Sequence, residues 1–400
     1  MQDSLGQVAR GSASLPGHFF HAGEAYALEV DRFFRRQWFC LALGSDVPNS
    51  GDWFPVDAIG QSLLICRDAD GKVRCFHNVC SHRGAQLVSG PKHARVLVCP
   101  YHCWSYDTKG RLARTPHAGG AGLHDDVTID RTNLGLREIL AVERGGLVFV
   151  CLAAPAEDFD SRIGPLFDRW FDAAFSELEQ VPDIGQRPSF RANWKIVVEN
   201  FVESYHLPSV HPELNRANPM ERHYQILGGD RYIGQGTTAY VRDDQSGNEL
   251  PLLPGVVAHD RSMGEALYLV PNLLIIRFPD FVLVNIVFPV SAVVTEERIE
   301  LLVHRDAASG ERHRAAREGL MRFLINVNNE DVAICESVQK GRASEAFRGG
   351  VFTGGQESTS LRFQQILARC LTDESTAALP NLSTLDIYHS TGTPTAPTGS

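Results

Sequence analysis

The chain has 400 residues, of which 43% are apolar and 22% are charged, which is ordinary for a globular protein of two or three domains. Its formal net charge of −10 at pH 7 argues against nucleic acid and anionic membranes as partners of the whole surface. No apolar run is long enough to cross a bilayer and no signal peptide is recognisable, so we expect a cytoplasmic protein without a membrane partner.

The first elements in chain order are a helix and a set of short strands. A helical pattern over 23–42 leads us to expect a helical N-terminal segment, 1–42, that packs on the larger domain further along the chain. Residues 43–155 alternate short apolar runs with turns, and Asp-Gly-Lys at 70–72 is typical of a hairpin. This stretch is therefore predicted to be a small all-β domain.

The second half of the chain mixes helices and strands. Residues 156–372 are predicted to form the larger domain, with three strands between 266 and 304 and a long helix over about 308–340. The tail, 373–400, is rich in Ser, Thr, Pro and Ala and is expected to be disordered. Neither a dinucleotide fingerprint nor a phosphate-binding loop is present, so we expect the chain to bind no nicotinamide or ATP itself.

Two Cys/His pairs lie in the first domain. Cys80 and His82 are separated by one residue, sixteen residues follow, and two residues separate Cys99 from His102. Nine cysteines, an odd number, favour metal binding over a disulfide framework. Zinc sites usually pair Cys with Cys, whereas here each loop offers one Cys and one His. That pattern suits a [2Fe–2S] cluster with two Cys on one iron and two His on the other, and zinc is the alternative.

A second group of polar residues lies in "NWKIVVENFVESYHLPSVHPE", residues 193–213. The pattern predicts a helix ended by Pro208, with Glu199, Glu203 and His206 on one face. His211 follows in the loop beyond, so both histidines can converge on one ion. An amphipathic surface helix with a polar stripe is the alternative.

A carboxylate for the same ion is predicted from the long helix near 320–338. Its apolar stripe is interrupted by Asp331, whereas Glu330 falls off the stripe and is expected to be exposed. Burying an ionised carboxylate is costly unless it is paired or binds a metal. His206, His211 and Asp331 therefore suit the two-histidine, one-carboxylate site of non-haem Fe(II) oxygenases.

The loops "CSHRGAQL" and "CPYHCWSYDTKGRL", together with "ENFVESYHLPSVHP", resemble the catalytic (alpha) subunit of Rieske non-haem iron oxygenases over residues 20–370. Further residues fall where that family has them: Gly84, Pro100, Tyr101, Trp104, Asp107 and Gly110. Respiratory-chain Rieske proteins carry an additional Cys in each loop. This chain has Ala85 and Tyr101 there, which favours the oxygenase branch.

The resemblance implies an α+β fold with a small all-β Rieske domain and a helix-grip (START-like) catalytic domain built on an antiparallel sheet. It implies two cofactors, a Rieske [2Fe–2S] cluster held by Cys80, His82, Cys99 and His102, and a mononuclear Fe(II) held by His206, His211 and Asp331. It also implies a homotrimer that receives NAD(P)H electrons indirectly, through a separate flavin- or ferredoxin-type reductase. Residues 70–115 carry eight Lys or Arg and two Asp. This positive charge fits a docking site for an acidic electron donor and an ordinary solvated surface equally.

The resemblance also suggests a substrate class. It places Glu203 as the acidic bridge between His102 of one subunit and an iron ligand of the next, with Asn200 and Tyr205 close to the iron. Glu at the bridge is similar to the branch that oxidises quaternary ammonium compounds, so we expect O₂-dependent N-demethylation with release of formaldehyde.

Two alternatives are left open. One is a monooxygenase or dioxygenase that hydroxylates an aromatic ring or aromatic acid, and Arg277 could pair with a carboxylate of either substrate class. The other is a non-catalytic electron-transfer or zinc protein. The aromatic side chains considered for a cationic substrate are Tyr205, Tyr232, Tyr240, Tyr268, Phe278 and Phe288.

Overall fold

The computed structural model describes residues 5–8, 14–124, 126, 128–170, 176–241, 249–257, 261–372 and 386–387. These residues form a seven-stranded, a three-stranded and a nine-stranded sheet, with helices that pack mainly on the last of these. The α+β fold class is therefore confirmed. No helix in the described ranges combines the length and the apolar character needed to cross a membrane.

The first half of the chain is almost entirely β-structure. Its strands are β1 (Phe39–Leu43), β2 (Asp52–Ala58), β3 (Gln61–Arg67), β4 (Val73–His77), β5 (Lys92–His93), β6 (Val96–Val98), β7 (Ser105–Asp107), β8 (Leu112–Arg114), β9 (Glu138–Arg144) and β10 (Leu147–Cys151). The larger sheet has the order β1-β10-β9-β4-β3-β2-β5, and β6, β7 and β8 form a separate small sheet. The predicted hairpin at 70–72 connects β3 and β4.

The second half is built around an antiparallel sheet. Its strands are β11 (Leu178–Gln180), β12 (Ser189–Phe190), β13 (His223–Gly228), β14 (Tyr232–Thr237), β15 (Gly264–Leu269), β16 (Leu273–Arg277), β17 (Val282–Ser291), β18 (Val294–His304) and β19 (Asp386–Ile387). The order is β11-β18-β17-β16-β15-β14-β13-β19, with β12 paired to β18. Except for β19, the predicted disordered tail 373–400 lies outside the described residues.

Helices cover the nine-stranded sheet and connect its parts. They are α1 (Gly23–Arg32), α2 (Phe159–Trp170), α3 (Trp194–Phe201), α4 (Leu207–Val210), α5 (Pro212–Ala217), α6 (Arg305–Ala308), α7 (Arg314–Arg342) and α8 (Ser358–Leu371). The 29-residue α7 contacts α3, α4 and β12. This arrangement sets one long helix beside α3 and α4, and His206 and His211 flank α4.

Two predicted elements outside the segment 193–213 are wrong in their extent. The predicted helix over 23–42 ends at Arg32, and β1 follows, because the run Phe39–Leu43 is buried on both faces and completes the first sheet. The first of the three strands predicted between 266 and 304 is two strands, β15 and β16, because residues 270–272 form a turn between them. Four strands therefore stand where three were expected.

Buried polar contacts connect the two halves. Asn272 exchanges hydrogen bonds with the backbone of Cys40, each at 2.8 Å, and Arg298 binds the carboxylate of Asp46. Helix α1 contacts the second half through Glu29, which accepts bonds from Lys195 Nζ (2.6 Å) and Trp194 Nε1 (2.7 Å). The domain limits 1–42, 43–155 and 156–372 stay a prediction.

Candidate metal centres and active-site cavity

The four residues predicted to hold the cluster lie in two adjacent loops. Cys80 follows β4, and its backbone N–H donates to the carbonyl of Ala85 (2.8 Å). Cys99 follows β6, and its N–H donates to the carbonyl of Trp104 (2.8 Å) at the start of β7. Each bond closes a short loop that positions one Cys and one His.

The donor set of these loops fits an iron–sulfur cluster. Cys80 and Cys99 are buried, and the rings of His82 and His102 lie 4.7 Å apart between centroids. Nδ1 of His102 is buried and has no hydrogen-bond partner in the described part of the chain. A buried nitrogen without a partner costs about 1–3 kcal/mol, which a bond to iron would remove.

Tyr106 is a cluster-loop residue that the sequence pattern does not indicate. Its Oη lies 3.1 Å from Cys80 Sγ and 3.0 Å from Ser81 Oγ, which in turn donates to the carbonyl of Leu134 (2.6 Å). Burial raises the pKa of Tyr106, so its hydroxyl stays protonated and can donate to a thiolate. Hydrogen bonds to the sulfur atoms are among the factors that set the potential of such clusters.

The second predicted ligand set also comes together. The donor atoms of three potential metal ligands all lie within 4.8 Å of one another. These ligands are His206, His211 and Asp331. His211 Nε2 lies 2.8 Å from Asp331 Oδ1, and His206 Nε2 lies 3.8 Å from the same oxygen. Two imidazoles and one carboxylate are the donor set of a non-haem Fe(II) site.

Each histidine is oriented by a glutamate on its other nitrogen. His206 Nδ1 lies 2.6 Å from Glu203 Oε1, and His211 Nδ1 lies 2.6 Å from Glu330 Oε2. A carboxylate on Nδ1 favours the tautomer with hydrogen there, so both Nε2 atoms present a lone pair toward Asp331. Glu330 was expected to be exposed, and 47% of its side chain is, but the pattern does not indicate its bond to His211.

The predicted helix that ends at Pro208 is wrong. Helix α3 ends at Phe201, and the carboxylate of Glu203 then accepts bonds from the backbone N–H groups of Tyr205 and His206. These bonds compete with helix continuation. Glu199 therefore does not share a face with His206, and it binds Gln364 Nε2 (2.5 Å) instead.

Asn200 and Tyr205, both expected near the iron, are placed differently. Asn200 Nδ2 donates to Asp331 Oδ1 (2.6 Å), so it fixes the carboxylate from the side of α3. Tyr205 is 52% exposed and is absent from the described lining of the cavity beside the metal group. The structure therefore supports a positioning role for Asn200 and provides no contact that would support one for Tyr205.

The surroundings also change the proton affinity of His211, which is only 1% exposed. Burial by itself lowers the pKa of this imidazole. The hydrogen bonds and negative charges of Asp331 and Glu330 outweigh burial, and the pKa is raised above its usual value of 6.5. The same two carboxylates stabilise any cation at this position, including a metal ion.

A cavity of about 770 Å³ opens beside His206, His211 and Asp331. One wall is apolar and comes from α7. The opposite wall comes from the strands and their connections, and includes Tyr240 and Phe278, whose ring centroids lie 4.3 Å apart. The other aromatic candidates, and Arg277, are not among the described residues that line it.

Comparison with known families gives matches on both halves of the chain. The Rieske [2Fe-2S] domain matches residues 37–127, and the "Ring hydroxylating alpha subunit (catalytic domain)" matches residues 167–373, just over half of the chain. The first match contains both Cys/His loops. The second contains His206, His211 and Asp331.

Individual relatives cover most of the chain. The carnitine monooxygenase oxygenase subunit of Escherichia coli is 25% identical over 84% of this chain and 86% of its own length. The glycine betaine monooxygenase oxygenase subunit of Chromohalobacter salexigens is 27% identical over 93% and 89%. A solved quaternary ammonium Rieske monooxygenase shares the fold, with a TM-score of 0.77 and 22% identity over 93% of this chain and 99% of its own.

These matches confirm the predicted cofactors, a Rieske [2Fe–2S] cluster and a mononuclear iron, and exclude the alternative of a non-catalytic zinc or electron-transfer protein. The assignment of individual ligands stays a prediction that the geometry supports. The chain belongs to the ring-hydroxylating alpha-subunit family and is the oxygenase subunit of a Rieske non-haem iron oxygenase.

Proposed function

We propose that this subunit hydroxylates an N-methyl group of a quaternary ammonium compound, and that the product releases formaldehyde. The observation that carries the proposal is the aromatic wall of the cavity, where Tyr240 and Phe278 lie beside Asp280. Aromatic faces attract a cation by ~0.5–2 kcal/mol for each good contact. The carnitine and glycine betaine monooxygenase subunits among the relatives act on compounds of this class.

The reaction balances as follows. An N–CH₃ group, O₂, two electrons and two protons give N–CH₂OH and water. The hydroxyl proton then leaves as the C–N bond breaks, which yields formaldehyde and a tertiary amine. When bound, the mononuclear iron supplies the activation of O₂ for insertion into a C–H bond, with electrons that arrive through the cluster.

The side chains around the metal group would hold it and orient the substrate. Glu203 and Glu330 fix the two imidazoles with Nε2 toward Asp331, and Asn200 fixes the carboxylate. On the α7 side, the cavity beside this group is lined by apolar side chains.

We further propose the route by which electrons arrive. Glu203 already bonds His206, so its carboxylate would connect that imidazole to His102 of a second copy in a homotrimer. Electrons would reach the cluster from a separate NAD(P)H-dependent reductase. A Glu203 variant that keeps both metals but forms product slowly would identify this role.

Hydroxylation of an aromatic ring is the second candidate. It is favoured by the apolar wall of the cavity, to which Leu320, Phe323 and Val327 contribute. An aromatic acid is less well suited, because Arg277 is not among the described lining residues.

Formaldehyde release tests the proposal. The protein is reconstituted anaerobically with cluster and Fe(II), mixed with NADH and a surrogate Rieske-oxygenase reductase, and given ammonium compounds beside naphthalene and benzoate. Formaldehyde equal to the tertiary amine formed is the expected result. Hydroxylated aromatic products, with formaldehyde from no ammonium compound, would instead establish ring hydroxylation.

A further inference from the structure

Two consecutive residues at the end of α3 contact α7 at separate points. Asn200 Nδ2 donates to Asp331 Oδ1 (2.6 Å), and Arg342 Nη2 donates to Glu199 Oε2 (2.7 Å). Arg342 follows Asp331 at i+11, which is about three turns, so both contacts lie on one face of α7 and about 16 Å apart along its axis. The end of α3 is therefore bonded to α7 both at the metal carboxylate and three turns beyond it.

The carboxylate of Glu199 is buried and has a partner on each oxygen. Only 7% of the residue is exposed. Oε2 accepts from Arg342, and Oε1 accepts from Gln364 Nε2 (2.5 Å). The Oε1 atom of Gln364 in turn accepts from the backbone N–H of Leu15 (2.6 Å). Glu199 thus connects α3 to α7, to α8 and to the segment before α1.

Arg342 is fixed by a second contact. Its guanidinium carbon lies 4.2 Å from the centroid of the Phe20 ring, and only 18% of its side chain is exposed. Water and salt screen an ion pair in such surroundings weakly, and removing one partner leaves the other charge buried and uncompensated. Breaking the bond between Glu199 and Arg342 therefore costs more than breaking an ion pair at the surface.

The metal group depends on how α3 and α7 are placed, because His206 and His211 follow α3 whereas Asp331 belongs to α7. A shift of α7 along its axis would carry Asp331 away from both imidazoles, since a packed helix moves as a rod. We propose that Glu199 is a positioning residue for the mononuclear iron, because its bond to Arg342 keeps Asp331 within reach of the two imidazoles. This inference rests on the assignment of Asp331 as an iron ligand and is independent of the substrate.

Substitution of Arg342 separates positioning from electrostatics, because the two effects have opposite signs. Arg342→Gln removes a positive charge, so electrostatics alone would tighten Fe(II) binding, whereas loss of the contact with Glu199 would weaken it. We expect binding about fivefold weaker, within the range of effects that packed elements transmit. Glu199→Asp keeps the charge and shortens the side chain, and should weaken Fe(II) binding about threefold. It also serves as the test if Arg342→Gln does not fold.

Fe(II) affinity is measured anaerobically on the full chain with its cluster, by competition with a chelator and without substrate. Cluster absorption and a urea titration of the same samples show whether each variant is folded. Glu336→Gln is the matched control, because Glu336 lies on α7 nearer to Asp331 than Arg342 does and pairs at 3.4 Å with Arg191, whose side chain is 84% exposed. It should leave the affinity unchanged, and Arg342→Lys, which keeps the cation, should come within about twofold of the native chain.

The outcomes distinguish a positioning role from a purely structural one. Weaker Fe(II) binding in folded Arg342→Gln and Glu199→Asp, with Glu336→Gln unchanged, supports the inference. Equal or tighter binding in these variants, or an equal loss in Glu336→Gln, overturns it. Iron retained by Asp331→Ala would overturn the ligand assignment and the inference with it. Since no substrate is present, these results leave N-demethylation to the formaldehyde assay, so the two can fail separately.

Discussion

Removing the carboxylate of Glu330 should weaken the mononuclear iron without affecting the cluster. Glu330 lies 2.6 Å from His211 Nδ1 and holds that imidazole with Nε2 toward Asp331. Partners of this kind are typically worth 10–100-fold in metal affinity. Because 47% of the Glu330 side chain is exposed, water can partly replace it, and the low end of the range applies. Glu330→Ala should therefore bind Fe(II) about tenfold more weakly, or about 1.4 kcal/mol.

The measurement is an anaerobic Fe(II) titration in competition with a chelator, with visible absorption of the cluster followed in the same sample. Glu330→Gln should lose only about threefold, since its amide oxygen can still accept from Nδ1 while the charge is gone. Glu318→Gln is the matched control, because Glu318 lies on the same helix and 41% of its side chain is exposed. Unchanged iron affinity in Glu330→Ala, or loss of cluster absorption with it, would refute the reasoning.

Two further predictions concern Glu203 and Glu297. Glu203→Gln should keep both metals but slow product formation in single-turnover experiments. The amide still bonds His206, whereas the charged bridge to the next subunit is lost. Turnover at the wild-type rate would contradict the assignment of Glu203 as the bridge. Burial raises the pKa of Glu297 from 4.5 to about 8. The stabilisation of the folded state is therefore complete below about pH 4.5, and the free energy of unfolding falls by up to about 5 kcal/mol as the pH rises from there through 8. With the mononuclear iron removed, the urea midpoint of Glu297→Gln should therefore rise relative to that of the native chain between pH 6 and pH 9. Parallel pH profiles of the two midpoints would show that Glu297 is not the cause.

The metal ligands could be predicted from sequence because the cost of burying a carboxylate can be recognised within a single segment of the chain. Asp331 interrupts an apolar stripe on a helix, and His206 and His211 flank a proline, so each pattern marks its own segment. The structure then brings the two segments together across about 120 residues. The same holds for the cluster loops, where one Cys and one His in each loop favour a [2Fe–2S] cluster, although spacing alone leaves zinc as an alternative.

The parts that could not be predicted depend on side chains from different segments. The end of α3 at Phe201 follows from the carboxylate of Glu203, which takes over backbone donors that a helix would have used. The bond between Glu330 and His211 depends on how α7 passes the loop after α4. No periodicity within either segment carries that information, and the same is true of the cavity walls.

Helix α7 carries the metal carboxylate and also forms the apolar wall of the cavity. At 1.5 Å per residue its 29 residues form a rod of about 44 Å, so a side chain that pushes the helix aside at Leu324 also displaces Asp331 two turns away. Enlarging or reshaping the binding space from this side should therefore compromise oxygen chemistry at the same time. The strand side, with Tyr240 and Phe278, can be altered without moving a ligand, so directed evolution of new substrates should find its tolerated changes there.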